Sequence, residues 1–425
     1  MERLPGFRDF YPEPVPQGGL WSADTRRYIF EKWRAVARSY GFREYDGPPL
    51  EPLDLFTTKS GEEIIAQLYN FTDKGGRDVA LRPEMTPTLA RMVAAHERNY
   101  RKPIKWFALP QLFRYERQQK GRLREHFQLN ADLIGETDTA ADAELIALLI
   151  DCLRTFGLTD KDFVIRLSSR SAWRDFFMAH RGDPGREYEF YQVIDKLERE
   201  EPESNTEKLQ ALGFALAEIQ AFIGEAKPTP ELAGMLENLA ARDLAGYAKV
   251  DYGVIRGLAY YTGVVFEAFD RTGEFRAIAG GGRYDNLVKL ISGGKADLPA
   301  LGFGMGDVVL RELLQARGLL PQMGMGLDAF CLIQDEALRP ESLKLVQGLR
   351  SAGLAVDYPL TPAKPDKQFK RALELKPAYT LALERPPGEA LRARVKNLRT
   401  RQEVMLQPEE IAGYVRANQP SEPQP

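Results

Sequence analysis

The chain is 425 residues long and 44% apolar, enough to bury more than one core and to exclude global disorder. Its 58 basic and 61 acidic side chains leave a formal charge of −3, which excludes a uniformly basic nucleic-acid coat but leaves room for a local basic site. Two cysteines, Cys152 and Cys331, and three histidines, His96, His126 and His180, share no metal-ligand spacing, which argues against a disulfide framework, a thiolate zinc site and a zinc hydrolase. The start, Met1-Glu2-Arg3-Leu4-Pro5, lacks a signal-peptide apolar core, and no apolar run of about 18 residues occurs. A soluble, cytoplasmic, multidomain protein with no membrane partner is expected.

In chain order, Tyr28, Ile29, Trp33, Val36, Ala37 and Tyr40 recur at helical steps between residues 21 and 40, forming one apolar face. Gly41 ends the helix, and residues 42–45 read as a strand closed by Pro48-Pro49. That face serves either a partner subunit or the chain's own core. Strand patterns follow at 78–81, 105–108, 127–133 and 163–167, with a helical pattern at 140–156. From about 170 to 245 the strand runs stop and charged helical stretches replace them, at 195–201 and 207–223. This reads as a helical insertion in a strand-rich domain. Strands resume at 250–254, 264–268 and 276–279, ahead of the triplet Gly280-Gly281-Gly282.

Residues 321–326 read as a linker. Beyond it, short strands at 328–333, 354–358 and 379–383 alternate with helical patterns at 341–352 and 367–375, which indicates a small α/β domain of about 90 residues. The expected organisation is a core over 1–322, containing the insertion at 170–245, a second domain over 326–416 and a disordered tail over 417–425.

The densest charge cluster is Phe113-Arg114-Tyr115-Glu116-Arg117-Gln118-Gln119-Lys120-Gly121-Arg122-Leu123-Arg124-Glu125. Alone, such a run is a solvated face. Between apolar strands it is a loop that converges cations, and the planar arginine fork suits phosphate or carboxylate. This segment resembles motif 2 of class II aminoacyl-tRNA synthetases, in a wording close to that of histidyl-tRNA synthetases. Leu81-Arg82-Pro83-Glu84-Met85-Thr86 resembles the same family's L-R-P-E-x-T segment. Val254-Ile255-Arg256-Gly257-Leu258-Ala259-Tyr260-Tyr261-Thr262 resembles its R-G-L-x-Y-Y motif, and Gly280-Gly281-Gly282-Arg283-Tyr284-Asp285 its G-G-G-R-Y-D motif. The resemblance runs from about Leu4 to about Tyr414.

The resemblance implies an α+β catalytic domain with a mostly antiparallel sheet, a helical insertion and a C-terminal α/β anticodon-binding domain. It implies ATP and histidine as substrates, Mg²⁺ with the ATP, a histidine-accepting tRNA as partner, and a homodimer with residues 21–49 in its interface. Arg114 would hold the α-phosphate and the substrate carboxylate, with Glu116, Arg122 and Arg124 on the adenine edge and outer phosphates. Glu84 and Thr86 would take the α-ammonium, an acceptor carboxylate beside a hydroxyl. Gln128, Asp132, Tyr260, Tyr261 and Tyr284 would surround the imidazole, with Asp132 standing where the family usually has glutamate. Arg256 would stabilise charge on the α-phosphoryl group where other class II enzymes place a metal. Ala259 replaces a common aspartate. Arg117 and Gln119 would meet the tRNA acceptor end. Lys364, Lys367, Lys370, Arg371, Arg392, Arg394, Lys396, Arg399 and Arg401 would neutralise phosphates in the anticodon-binding domain.

The pattern breaks in motif 3. In Gly302-Phe303-Gly304-Met305-Gly306-Asp307-Val308-Val309, the usual arginine position holds Val309, and Arg311 lies about 200° around the helix from it. Motif 2 reads Glu125-His126-Phe127-Gln128 instead of E-F-H-Q. Loss of ATP chemistry, as in the histidine-binding regulatory subunit of ATP phosphoribosyltransferase, is one explanation. A rebuilt adenine pocket, with His126 on one face of the base and Val309 on the other, is the second. Arg114, Arg256, the C-terminal domain and the resemblance of the variant motifs to a plant-organellar type favour the second.

Overall fold

The computed structural model describes residues 2–15, 21–57, 66–116, 123–180, 182–198, 201–256, 260–321 and 326–418. The chain divides into two compact units, Met1–Arg8 with Arg26–Leu320, and Asp9–Thr25 with Pro321–Pro425. The expected boundary near 322–326 is therefore joined by a second exchange, at the short N-terminal segment that carries the parallel pair Phe10–Tyr11 and Trp21–Ser22.

The larger unit is built on a nine-stranded sheet. Along it run Ala248–Val250, Phe163–Ser169, Val264–Asp270, Ala279–Arg283, Ala300–Gly306, Glu125–Ile134, Ile104–Ala108 and Arg43–Glu44, and Gln111–Phe113 pairs with the start of Glu125–Ile134. Only the two outermost pairs are parallel, so the sheet is mostly antiparallel, as expected. The helix Ala140–Arg154, buried along most of its length, and Ala23–Ser39 cover this sheet. Ile29, Trp33 and Ala37 are fully buried in the same core, and Tyr28, Val36 and Tyr40 pack against it. The apolar face of that first helix thus packs on the chain's own core.

The insertion is helical, in four-helix continuity: Glu187–Lys196, Pro202–Ala211, Leu216–Glu225 and Pro230–Ala240 follow Arg170–Ala179. The boundaries differ from the expected 195–201 and 207–223. Pro202 opens a new helix at its first turn, where a missing N–H costs nothing, and Gly213, at φ +88°, divides 207–223 in two. Trp173, Phe177, Phe190 and Phe214 close the insertion's aromatic core. The strand expected at 250–254 stops at Val250, because Asp251 to Val254 make a turn.

The strand expected at 276–279 begins at Ala279 and consists of the glycine triplet itself. Glycine is required there by close approach. A Cβ on Gly281 would run into the Gly302 carbonyl and stand 2.7 Å from the Phe303 Cβ, and one on Gly282 would stand 2.7 Å from the Val264 carbonyl oxygen. Backbone atoms cannot turn aside as a side chain can. Gly281→Ala is therefore expected to destabilise the larger unit by roughly 1–3 kcal/mol, seen as a lower urea midpoint; an unchanged midpoint would contradict the packing argument.

The smaller unit carries a five-stranded sheet in the order Val356–Asp357, Ala329–Leu332, Tyr379–Glu384, Arg392–Asn397, Glu403–Leu406. The helices Arg339–Ser351, Pro365–Leu375 and Ile411–Ala417 complete it. The last two strands and the last helix were absent from the sequence reading. Ile411–Ala417 reaches one residue into the expected tail, and residues 419–425 lie outside the described residues.

Candidate active site

The alternation of a strand places Gln128, Asn130 and Asp132 of Glu125–Ile134 on one face. Directly across lie Gly306, Gly304 and Gly302. Two of these glycines leave room for side chains of that strand: a Cβ on Gly304 would stand 2.6 Å from the Gln128 amide, and one on Gly302 would collide with the Asp132 carboxylate, whereas Gly306 faces open space. These glycines lead directly into the helix Asp307–Ala316 and also form part of the floor of a cleft of about 820 Å³.

Glu84, Thr86, Arg114, Glu116, His126, Gln128, Asp132, Arg256, Tyr260, Tyr261, Tyr284 and Val309 all line this cleft. The Tyr284 hydroxyl donates to Asp132 Oδ1 at 2.5 Å, and Asp132 Oδ2 has no hydrogen-bond partner among the described residues. Burial pushes the Asp132 carboxyl up to about 7, against the pull of the Tyr284 hydrogen bond. Glu84 accepts from the Tyr260 hydroxyl at 2.8 Å through one oxygen, and its other oxygen is buried with no hydrogen-bond partner among the described residues. Burial also raises this carboxyl, opposed by Arg114, the Tyr260 hydroxyl and Arg256. Tyr260 sits between Tyr261 and Tyr284, with ring centroids 5.0 and 5.9 Å away. The cleft therefore presents unsatisfied acceptors among aromatic rings, a surface suited to a small ligand rich in N–H donors.

Arg256 stands at the end of a left-handed residue, φ +61°. Its Nη1 donates to Glu267 Oε1 at 2.6 Å, and the guanidinium lies where a Cβ on Gly280 would be, so Gly280 clears its path. Desolvation opposes its charge, but Tyr261 and Glu267 hold its proton still more firmly than usual. Arg114 donates from Nε to the Pro83 carbonyl at 3.0 Å, and its main-chain N–H bonds the Arg124 carbonyl, closing the hairpin. Arg124 does not line the cleft; it lies over the Tyr115 ring at 4.2 Å. Arg117, Gln119, Arg122 and Ala259 lie outside the described residues.

The reversed order His126-Phe127 follows from the strand's two faces. His126 turns into the cleft, whereas Phe127 packs edge-on against Phe30 at 5.4 Å on the other side. Burial, with Arg114 and Arg8 close by, lowers the His126 imidazole to about 3, so the ring is neutral. Val309 lines the cleft and Arg311 does not. Behind them a buried ion triad joins the pieces: Arg8 Nε reaches Glu125 at 2.6 Å and Arg8 Nη1 reaches Asp307 at 2.7 Å, while Asp307 also accepts the Phe127 N–H at 3.0 Å.

Sequence reasoning missed Gln67, Asn130 and Glu267, all of which line the cleft. Asn130 is buried, with Oδ1 unpartnered, and its signal was its place midway between Gln128 and Asp132 at strand spacing. Glu267 was visible as a carboxylate in the middle of the apolar strand Val264–Asp270. From the insertion, Tyr188, Asp195, Lys196 and Glu198 also reach the cleft.

In the smaller unit, Lys364, Lys367, Lys370 and Arg371 are exposed along Pro365–Leu375. Between the lysines, Gln368 is buried and pins the helix to the sheet through both the N–H and the carbonyl of Ile333. Arg392, Arg394 and Lys396 share one face of a strand and are engaged by Glu389, Glu384 and Glu403 at 3.7, 2.6 and 2.6 Å. Arg399 and Arg401 are exposed in the following turn.

Residues 18–307 match the family described as Histidyl-tRNA synthetase, and residues 325–418 match the Anticodon binding domain. The Histidine--tRNA ligase of Opitutus terrae is 46% identical over 440 aligned positions, covering 98% of each chain. The Histidine--tRNA ligase, chloroplastic/mitochondrial, of Arabidopsis thaliana is 38% identical, covering 86% of this chain and 77% of that one. The fold is shared with histidyl-tRNA synthetase from Nostoc sp. PCC 7120, at TM-score 0.74 and 22% identity over 96% of this chain and 100% of that one. It is also shared with an ATP phosphoribosyltransferase regulatory subunit/histidyl-tRNA synthetase from Bacillus halodurans, at TM-score 0.70 and 24% identity over 87% and 96%. On the family match and the close full-length relatives together, this chain belongs to the histidyl-tRNA synthetase family of class II aminoacyl-tRNA synthetases.

Proposed function

We propose that the cleft between the strand Glu125–Ile134 and Arg256 is where histidine and ATP are joined, the chain being a histidine–tRNA ligase. The convergence of Glu84, Asp132, Arg114 and Arg256 on one cavity carries this reading. A histidine carboxylate oxygen attacks the α-phosphorus of ATP, the bond to the β-phosphate oxygen breaks, and diphosphate leaves. The 3′-terminal tRNA hydroxyl then attacks the histidyl carbonyl, AMP leaves, and a phosphate oxygen of the adenylate takes the hydroxyl proton.

Glu84 and Thr86 hold the α-ammonium; Gln128, Asp132, Tyr260, Tyr261 and Tyr284 enclose the imidazole. Arg114 and Arg256 draw the carboxylate and the α-phosphate together, Glu116 with Arg122 and Arg124 serves the adenine edge and outer phosphates, and His126 and Val309 cover the base. Among the described residues no group of three or more acidic, histidine or cysteine side chains forms a metal cage. That suits Mg²⁺ arriving on the ATP phosphates, since this ion keeps its waters and takes few protein ligands. Arg117 and Gln119 meet the acceptor end, and Lys364, Lys367, Lys370, Arg371, Arg392, Arg394, Lys396, Arg399 and Arg401 meet the anticodon arm.

A cytoplasmic reaction follows from the family reading rather than from any feature of the fold; no helix among the described residues is long and apolar enough to cross a membrane. The working form is a homodimer with residues 21–49 in its interface, where residues 43, 44, 46, 48 and 49 are exposed. Light scattering is expected to give twice 48.0 kDa; the monomer mass would remove the dimer.

Histidine-dependent ATP–pyrophosphate exchange tests the activity directly, and no exchange at saturating histidine would sink it. In the same assay His126→Ala is expected to raise the KM for ATP about three- to tenfold, the range of one lost ring stack, with the KM for histidine unmoved. Unchanged ATP kinetics would remove His126 from the adenine pocket.

A further inference from the structure

We propose that Arg170, the first residue of the insertion, is a positioning residue for Arg256, and that Tyr191 of the insertion holds Arg170 in place. The inference rests on the reading of Arg256 given above. A left-handed backbone at a non-glycine residue persists only where its surroundings over-determine it, and Arg256 is such a residue.

Arg170 supplies the constraint. Its Nε donates to the Ile255 carbonyl at 3.0 Å and its Nη2 to the Arg256 carbonyl, so one planar fork bridges two successive carbonyls. A lysine cannot reproduce that geometry, having a point charge in place of a plane. Arg170 is buried, and its own main-chain N–H is fixed to the Gly263 carbonyl at 2.9 Å. Its guanidinium lies 4.3 Å from the ring centroid of Tyr191, on the helix Glu187–Lys196. That helix also presents Tyr188 and Asp195 to the cleft.

Arg256 is thus held at both ends, by Glu267 at the guanidinium and by Arg170 at the backbone. Moving the insertion helix moves Tyr191 and Arg170, and with them the cation at the reacting phosphate. The insertion becomes a lever on adenylate formation as well as a surface beside the cleft.

The test is a double-mutant cycle in ATP–pyrophosphate exchange with the full chain. Arg170→Lys keeps the cation under the Tyr191 ring but loses the two-carbonyl bridge. It is expected to lower kcat at least about tenfold, the scale of a small misplacement of a reacting group, with the KM values for histidine and ATP within about twofold. Tyr191→Leu is expected to lower kcat about threefold, and Tyr191→Phe, which keeps the ring face, to restore it. Because Arg170 acts through Arg256, Arg170→Lys in an Arg256→Ala background is expected to slow exchange no further. A wild-type kcat for Arg170→Lys, or the same fold-loss in both backgrounds, would overturn the inference. The reading of Arg256 itself fails separately, if Arg256→Ala alone exchanges at the wild-type rate.

Discussion

Replacing Arg256 by alanine is expected to slow histidine-dependent ATP–pyrophosphate exchange by about a thousandfold in kcat, with a much smaller change in the KM for histidine. Joining a carboxylate to an α-phosphate brings two anions together, and the charge that builds on the phosphoryl oxygens needs a fixed partner. Arg256 is such a partner: Glu267 holds one of its guanidinium nitrogens at 2.6 Å, and the Tyr261 ring centroid lies 5.7 Å from the guanidinium carbon, so the cation is fixed at the edge of the cleft. The loss falls on kcat because an interaction made mainly in the transition state leaves ground-state binding nearly untouched. Glu267→Gln keeps an acceptor and removes the charge, so a loss of about tenfold is expected. Glu267→Gln as damaging as Arg256→Ala, or Arg256→Ala raising only the KM for histidine, would move the arginine from the reaction to substrate binding.

How these residues came to be visible differs from one to the next. The strand Asp78–Leu81 and the helix Ala23–Ser39 were legible because periods of 2 and 3.6 are written locally. Arg114, Glu84 and Tyr284 were legible by family wording alone, since their shared cleft depends on strands far apart in sequence. The glycines at 302 and 304 were legible as the lead into the helix Asp307–Ala316, but not as clearance for Asp132 and Gln128, which stand in a strand more than 160 residues earlier; no local pattern encodes that approach. Arg392-Ala393-Arg394-Val395-Lys396 does alternate, and the buried Ala393 and Val395 show the strand it announced. Its charges suggest RNA, and in the structure they pair with glutamates on neighbouring segments. Glu267 and Asn130 lay in plain view, but a polar residue within a strand names no partner by itself.

The second large effect is expected at Asp132. Its carboxyl, raised to about 7 by burial, has Oδ1 taken by Tyr284 and Oδ2 unpartnered, with Tyr45 and Tyr260 as the other titratable groups nearby and no ion-pair partner among the described residues. The free substrate imidazole titrates near 6.5. A charge-balanced complex holds one proton between carboxyl and imidazole. Below about 6.5 the free partners hold two protons, so binding must release one; above about 7 they hold none, so binding must take one up. The kcat/KM for histidine is therefore expected to peak between these values and to fall on both sides. Asp132→Asn removes the carboxyl and with it the alkaline limb, leaving only the rise through the imidazole's own titration. Near pH 7 it is expected to lower kcat/KM about 10- to 100-fold, the worth of a hydrogen bond to a charged group. The folded protein follows the same sign. Because the native carboxyl is raised above its unfolded value of 3.8, its ionisation costs stability as pH climbs from about 4 to 7, and Asp132→Asn, which never ionises, is expected to lose that pH dependence. A wild-type kcat/KM that stays level above pH 7, or an Asp132→Asn profile that keeps its alkaline fall, would show that Asp132 does not share a proton with the substrate ring.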